Sequence, residues 1–469
     1  MGVVAHTDLV LGIDSSTQST KALLVDATDG TVVEQASAPH PDGTAVDPRA
    51  WLDAFDAATD GLLPRAAALA VGGQQHGMVA LDRDGRPVHD ALLWNDTRSA
   101  PQAEALVAEL GGPAACAATI GSVLVASFTS TKLRWLRDHE PDAAARVSQV
   151  LLPHDYVSRH VSGGEVFTDR SDASGTGYWS TAEDHWLPGL AEQAVGHAVD
   201  LPRVVASHQV AATTPGGLVI GAGAGDNAAA ALGLDLQPGD VVLSIGTSGV
   251  ASAIATEPVV DGTGSVTGFA DATSRFLPLS VTINAARILE LQSRLLGVDH
   301  DELARLALAS TPGARGLTVL PYYDGERTPN RPDATGTWAG LTTSTTREDV
   351  ARAAVEALLC SLADLVDHLS SITRLTPRRV LMVGGAARNE AVRTLAPAVL
   401  GRPVTIPAPG EYVARGAARQ AAWALSGAAE APRWPDVPSE THDAAPTPEV
   451  RDAYARLRDH ESTAREEAR

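Results

Sequence analysis

The chain has 469 residues and a formal net charge of −21, from 36 basic and 57 acidic side chains. Hydrophobic residues make up 44% and charged ones 20%, a mix that fills two or three globular cores at roughly 150 residues each. A surface this negative repels phosphate backbones and anionic lipid, which argues against nucleic acid and membranes as main partners, yet backbone amides can still bind a small anion. Two cysteines, Cys116 and Cys360, are too few for a disulfide framework and point to a reducing compartment. Residues 1–10 lack a basic region followed by a long apolar stretch, and no apolar run reaches about 18 residues, so a soluble cytoplasmic chain is expected. Lys21 and Lys132 are the only lysines. Neither ends a G-x-x-x-x-G-K-[ST] run, and no H-R-D or D-F-G is present, which excludes a Walker A loop and a protein kinase.

In chain order, residues 8–14 and 21–26 are apolar runs joined by the small polar turn 15–20, the pattern of a β-hairpin. Asp29-Gly30 supplies a tight turn before a strand at 31–35. Helical spacing over 50–63 turns Trp51, Leu52, Phe55 and Leu62 inward. A buried strand is expected at 69–73, emptying into Gln74-Gln75-His76. Past the middle, an apolar strand at 240–245, a Gly/Ser/Thr turn at 246–249 and a second apolar run at 250–255 repeat the strand–turn–strand of the N-terminus. That recurrence has two readings, an internal duplication of one α/β unit or the coincidence of two common hairpins. Further on, 348–369 reads as a long helix and 380–383 as a strand entering Gly384-Gly385. The Pro- and Ala-rich stretch 426–447 reads as a loop or linker, and 448–469 as a charged, largely solvent-facing helix. Alanine-rich helix faces read as ordinary helix formers.

Four groups of residues can carry chemistry. Asp14 ends the first strand ahead of a turn of hydroxyls. Such a carboxylate either holds a hydrated cation beside phosphate oxygens or bonds to the turn amides as an Asx turn. Gly221-Ala222-Gly223-Ala224-Gly225-Asp226-Asn227 precedes a helix. A dinucleotide fingerprint would need glycine where Asp226 stands, and a carboxylate at a helix start repels a pyrophosphate. Asp226 is therefore either a helix cap or a general base on a glycine-lined turn. Gln75-His76 and Trp94-Asn95-Asp96-x-Arg98 offer the donors, acceptors and aromatic face that a polyhydroxylated ligand needs, although each residue alone could be a satisfied loop or core group. The turns 246–249 and 384–389 suit phosphate or nucleotide, weakly when taken alone.

Taken together these segments resemble the FGGY family of carbohydrate kinases. Residues 127–139, Ser-Phe-Thr-Ser-Thr-Lys-Leu-Arg-Trp-Leu-Arg-Asp-His, fit its first signature. Gly336-Thr337-Trp338-Ala339-Gly340-Leu341, with Asp349-Val350 and Ala353-Ala354-Val355-Glu356, fits the second. The resemblance implies a two-domain α/β fold of the actin-like, ribonuclease-H-like ATPase kind, with a duplicated core and a cleft that closes on sugar. The expected division is 1–216 for sugar, 217–447 for nucleotide and 448–469 as a terminal helix returning to the first domain. It further implies ATP-dependent phosphorylation of D-xylulose to D-xylulose 5-phosphate. A sister kinase for ribulose, gluconate or glycerol is the alternative, and an actin-like ATPase without sugar chemistry is a more distant one. In these terms Asp226 is the base, and Asp14 with Asp226 attends Mg²⁺. Gln75, His76, Trp94, Asn95, Asp96, Asp226 and Asn227 hold the sugar, and Thr17, Gly246, Thr247, Gly384, Gly385 and Asn389 line the ATP site. Gln75 stands where many bacterial members carry Met, which leaves the preferred sugar open, and the sequence leaves a homodimer open as well.

Overall fold

The computed structural model describes residues 8–467. Residues 1–7, part of the stretch searched for a leader, and 468–469, the end of the expected terminal helix, lie outside the described residues. Two compact units are interleaved along the chain. The first comprises residues up to 236, 256–277 and 410–436; the second comprises 237–255, 278–409 and 437 onward. This differs from the linear division expected at 216/217 and 447/448. The reason is local: the helix Tyr412–Ser426 packs on the sheet of the first unit and carries its flanking residues with it.

In the first unit, strands β1 (Leu9–Ser15), β2 (Ser19–Asp26), β3 (Val32–Pro39), β4 (Ala68–Gly73), β5 (Val210–Thr213) and β6 (Val219–Gly221) form one sheet in the order β5-β6-β4-β1-β2-β3. β1 runs antiparallel to β2 and parallel to β4, β2 and β3 are antiparallel, β4 and β6 are parallel, and β5 returns antiparallel on β6. Both faces are covered, which is why β1 reads as a nearly unbroken apolar run. Its alternate residues Leu11 and Ile13 join Trp51 and Phe55 of the helix Arg49–Thr59 on one side. On the other, Val10 meets Ala414, Ala417, Ala418 and Ala421 of the helix Tyr412–Ser426.

That alanine-rich face does more than favour helix. A Cβ on Gly12 would fall 1.9 Å from the Ala414 carbonyl, and one on Gly416 would fall 1.8 Å from the carbonyl of Ala229. Small residues on both sides let backbone approach backbone, and neither contact can be relieved by turning a side chain. Gly416→Ala is expected to cost on the order of 1–3 kcal/mol through overpacking, read as a lower Tm. An unchanged Tm would mean that the helix shifts freely.

In the second unit, β7 (Asp240–Ile245), β8 (Gly249–Ala253), β9 (Phe276–Thr282), β10 (Arg379–Val383), β11 (Val404–Pro407) and β12 (Ser439–His442) are ordered β9-β8-β7-β10-β11-β12. β7 is antiparallel to β8 and parallel to β10, β8 and β9 are antiparallel, β10 and β11 are parallel, and β12 is antiparallel to β11. Five of these strands, β11-β10-β7-β8-β9, repeat β6-β4-β1-β2-β3 of the first unit in chain order, position and direction, with β7 in the place of β1 and β10 in the place of β4; the edge strands differ, since β5 precedes β6 in the chain whereas β12 follows β11. Two hairpins could recur by coincidence, but five strands with matching connectivity, order and polarity are an internal duplication.

β12 corrects the reading of 426–447 as loop. Its Ser-Glu-Thr-His sequence is polar and mostly exposed because it is an edge strand, paired on one side only. The terminal helix Pro448–Glu467 belongs to the second unit rather than returning to the first domain. Val450 and Tyr454 are buried, Arg451 pairs with Asp364 and Asp367, and Arg458 pairs with Asp364.

Candidate active site

In both units most candidate residues lie at the carboxyl ends of the central parallel strands, where α/β sheets bind ligands; Trp94, Asn95 and Asp96 instead follow the short strand Ala91–Leu92, outside the central sheet. In the first unit Asp14 and Ser15 of β1 pair with Gly72 and Gly73 of β4, which pair in turn with Ala224 and Gly225. Asp14 and Asp226 therefore come from strand ends on either side of β4. The glycines between them permit close packing. A Cβ on Gly225 would lie 2.6 Å from Gln75 Cγ, and Gly223, with φ 84°, would place one 2.4 Å from the ring of His154.

Asp226 is the first residue of the helix Asp226–Gly233, whose N-cap is Gly225. The plain cap reading of Asp226 thus falls away. Its Oδ1 accepts from the Asn227 backbone N–H at 2.7 Å and from Asn227 Nδ2 at 2.9 Å. Burial pushes its carboxyl up to about 6, against the pull of those hydrogen bonds.

Asp14 is 4% exposed, and its Oδ1 has no hydrogen-bond partner among the described residues. Its Oδ2 lies 3.9 Å from Lys21 Nζ, which is itself 2.6 Å from Glu411. Burial pushes Asp14 up to about 7; Lys21 opposes the shift, while Asp226 and Glu411 add to it. The turn after β1 is held without an Asx contact. Ser16 Oγ donates to the Ser19 carbonyl, and the His40 ring joins the Ser16 carbonyl to the Thr20 hydroxyl. Asp14 is left with an unengaged buried oxygen, the donor a divalent cation uses.

Gln75 is buried, and its Nε2 donates to the Ser171 carbonyl at 3.0 Å. His76 takes a left-handed backbone with φ 70°, its Nδ1 2.6 Å from the Gly175 carbonyl and its ring against Phe128 and Phe269. Trp94 is exposed, and its indole N–H donates to Thr17 Oγ1 at 3.0 Å. Thr17, expected at the nucleotide, is thus tied in the first unit to a residue expected at the sugar. Asn95 is exposed, whereas Asp96 is buried and fully engaged by the Arg98 backbone and guanidinium and by the Thr44 hydroxyl. Burial works to raise its carboxyl, but those hydrogen bonds hold it below the ordinary range.

In the second unit Gly246-Thr247 follows β7 and Gly384-Gly385 follows β10, all exposed, on strands paired Ser244 to Val383. Gly384 has φ 96°, and a Cβ there would meet the Ile245 carbonyl at 2.6 Å, so glycine is required for the turns to lie this close. Asn389 caps the helix Glu390–Leu400 by accepting from Ala391 and Val392, and its Nδ2 donates to the His300 carbonyl.

Sequence reasoning missed a buried group behind the strand ends. His154 Nδ1 lies 2.8 Å from Asp155 and 3.0 Å from Asp172, with Nε2 3.6 Å from Asp169. Burial works against a proton on the ring, but the carboxylates outweigh it and hold the imidazole well above its ordinary value. Asp169 also caps the short helix Arg170–Ala173, whose Ser171 carbonyl receives Gln75. No periodicity links these residues, which come together only in three dimensions.

A duplicated mixed sheet with acidic and glycine-rich turns at equivalent strand ends is the actin-like, ribonuclease-H-like two-domain fold. The chain belongs to the FGGY family of carbohydrate kinases, whose N-terminal domain matches residues 9–233 and whose C-terminal domain matches 241–425. It is 45% identical over 448 residues to the xylulose kinase of Streptomyces coelicolor, covering 92% of this chain and 91% of that one. It is 43% identical over 452 residues to the xylulose kinase of Streptomyces rubiginosus, again covering 92% and 91%. Among solved structures, xylulose kinase from Bifidobacterium adolescentis matches with a TM-score of 0.91 at 45% identity, over 96% of this chain and 99% of that one. Among the described residues, no helix is long and apolar enough to cross a membrane.

Proposed function

We propose that the chain transfers the γ-phosphoryl group of ATP to D-xylulose, giving ADP and D-xylulose 5-phosphate. The observation that carries this reading is the pair of carboxylates Asp14 and Asp226 at the strand ends of the first unit, both lifted by burial, in a chain 45% identical to a protein named xylulose kinase. A carboxyl near 6 is ionised at neutral pH yet basic enough to take the hydroxyl proton as the sugar oxygen attacks phosphorus. Asn227, by engaging Oδ1 twice, orients that carboxylate. Gln75, His76 and Asn95 supply polar contacts to the sugar, and exposed Trp94 supplies an aromatic face for its C–H side. Asp96, already satisfied, acts by fixing the loop that carries Trp94 and Asn95, and Thr17 acts by orienting the Trp94 indole.

In the second unit the backbone of Gly246, Thr247, Gly384 and Gly385 cradles the phosphates of the nucleotide, and Asn389 fixes the helix that follows. Mg²⁺ fits Asp14, whose buried Oδ1 lacks a partner; when bound, the cation neutralises charge on the phosphate oxygens.

ADP release measured in parallel with D-xylulose, D-ribulose, L-ribulose, glycerol and gluconate tests the reading. Strong stimulation by D-xylulose above the others is expected. Stimulation by another member of the panel moves the substrate, as Gln75 allows, and no stimulation by any of them overturns the sugar kinase itself.

A further inference from the structure

We propose that Lys132 is a positioning residue for His76, holding its backbone in the conformation from which the imidazole reaches the sugar. The inference rests on the reading of His76 as a sugar contact.

His76 needs such a device. With φ at 70° it occupies the left-handed region, which only a few per cent of residues other than glycine adopt and which costs about 1–2 kcal/mol. A strained residue persists when its surroundings over-determine it. Here the His76 carbonyl accepts Lys132 Nζ at 3.0 Å and Thr129 Oγ1 at 3.1 Å. Both donors stand on the helix Thr129–His139, three residues apart and so on one face. At its other end the residue is fixed by the 2.6 Å contact of Nδ1 with the Gly175 carbonyl and by the flanking rings of Phe128 and Phe269. Backbone and ring are thus held independently, and together they leave the imidazole one orientation.

Lys132 is an unusual choice for a packing residue. It is wholly buried, and its hydrogen bonds go to two main-chain carbonyls, those of His76 and Ser127. It forms no salt bridge among the described residues. Burying an ammonium without a paired carboxylate is costly. Burial accordingly brings it down to about 7, with Asp96 opposing that shift from a distance. An apolar side chain would fill the space at less cost. What it could not do is hold the carbonyl of the residue whose backbone is strained.

The test compares Lys132→Met, His76→Ala and the double variant in steady-state kinetics. For Lys132→Met we expect KM for D-xylulose to rise at least ~10-fold, with kcat within about threefold of wild type and KM for ATP unchanged. In the His76→Ala background the same substitution should add nothing, because the residue it positions is gone. A lower Tm with unchanged sugar KM would overturn the inference, as would a KM effect that persists undiminished in the double variant. If His76→Ala alone leaves sugar KM unchanged, it is the assignment of His76 to the sugar that fails. Thr129→Val removes the second donor to the same carbonyl without burying a new polar group. Should Lys132→Met not fold, it is read in the same way.

Discussion

Asp226→Asn is expected to fold normally and to lose at least ~10²-fold in kcat with D-xylulose, the low end for removal of a general base. The amide keeps the shape of the carboxyl and an oxygen for the Asn227 contacts, but it cannot take the hydroxyl proton. In the wild type, kcat/KM should climb with pH through about 6, where Asp226 ionises, and level off above. Stability should move the other way. A carboxyl raised from 3.8 to about 6 in the folded state is held most favourably as the acid. The cost of ionising Asp226 in the fold is therefore absent below about pH 4, builds as pH rises towards 6 and is full above it. Two units correspond to at most about 3 kcal/mol. Asp226→Asn should thus unfold at a higher temperature than wild type at pH 8, with the difference vanishing near pH 4. Near wild-type kcat would remove Asp226 as the base. Inactivity joined to a lower Tm at pH 8 would mean that activity is lost through folding, not chemistry.

The sequence made the sheets legible where a strand carries its own pattern. β1, β2, β7 and β10 fall within about two residues of their expected places, because strands buried on both faces are apolar throughout and end in glycine or hydroxyl residues. The duplication could be read only in half, from one hairpin in each copy; the matching outer strands are short and share no motif. β12 was illegible for the opposite reason, since an edge strand with polar residues has no hydrophobic pattern to show. The interleaving of the units was hidden too. What seats Tyr412–Ser426 in the first unit is a set of absent side chains, at Gly12 against β1 and at Gly233 and Gly416 against the helix Asp226–Gly233, and periodicity cannot see a missing Cβ.

At the candidate site the same division holds. Asp14, Gln75, His76, Trp94 and Asp226 were conspicuous because polar residues directly follow apolar runs. The holding role of the groups behind them was not, even where, as for Lys132 and Thr129, the residues stood in a recognised signature. Lys132 and Thr129 behind His76, Ser171 behind Gln75, and Glu411 beyond Lys21 each lie far along the chain from the residue they hold. A spacing argument finds the groups that face a ligand. It does not find the groups that hold them in place.

The second large effect is expected at Asp14. Asp14→Asn should lower kcat by at least ~10²-fold, since metal stabilisation of developing charge is worth several kcal/mol. It should also abolish the response of the protein to the cation. Because burial holds Asp14 at about 7, a divalent cation must displace a proton to bind there, and its affinity should rise with pH up to about 7 and then level off. Melting the wild-type protein with nucleotide, with and without Mg²⁺ at pH 6 and pH 8, reads this directly. The stabilisation by Mg²⁺ should be larger at pH 8 in the wild type and absent at both values in Asp14→Asn. Asp226→Asn should keep the cation response while losing the chemistry. That contrast would separate the roles proposed for two neighbouring carboxylates, Asp14 at the phosphate and Asp226 at the hydroxyl. If Asp14→Asn keeps both its cation-dependent Tm and near wild-type kcat, Asp14 is no metal ligand, and the raised carboxyl at the end of β1 reports burial alone.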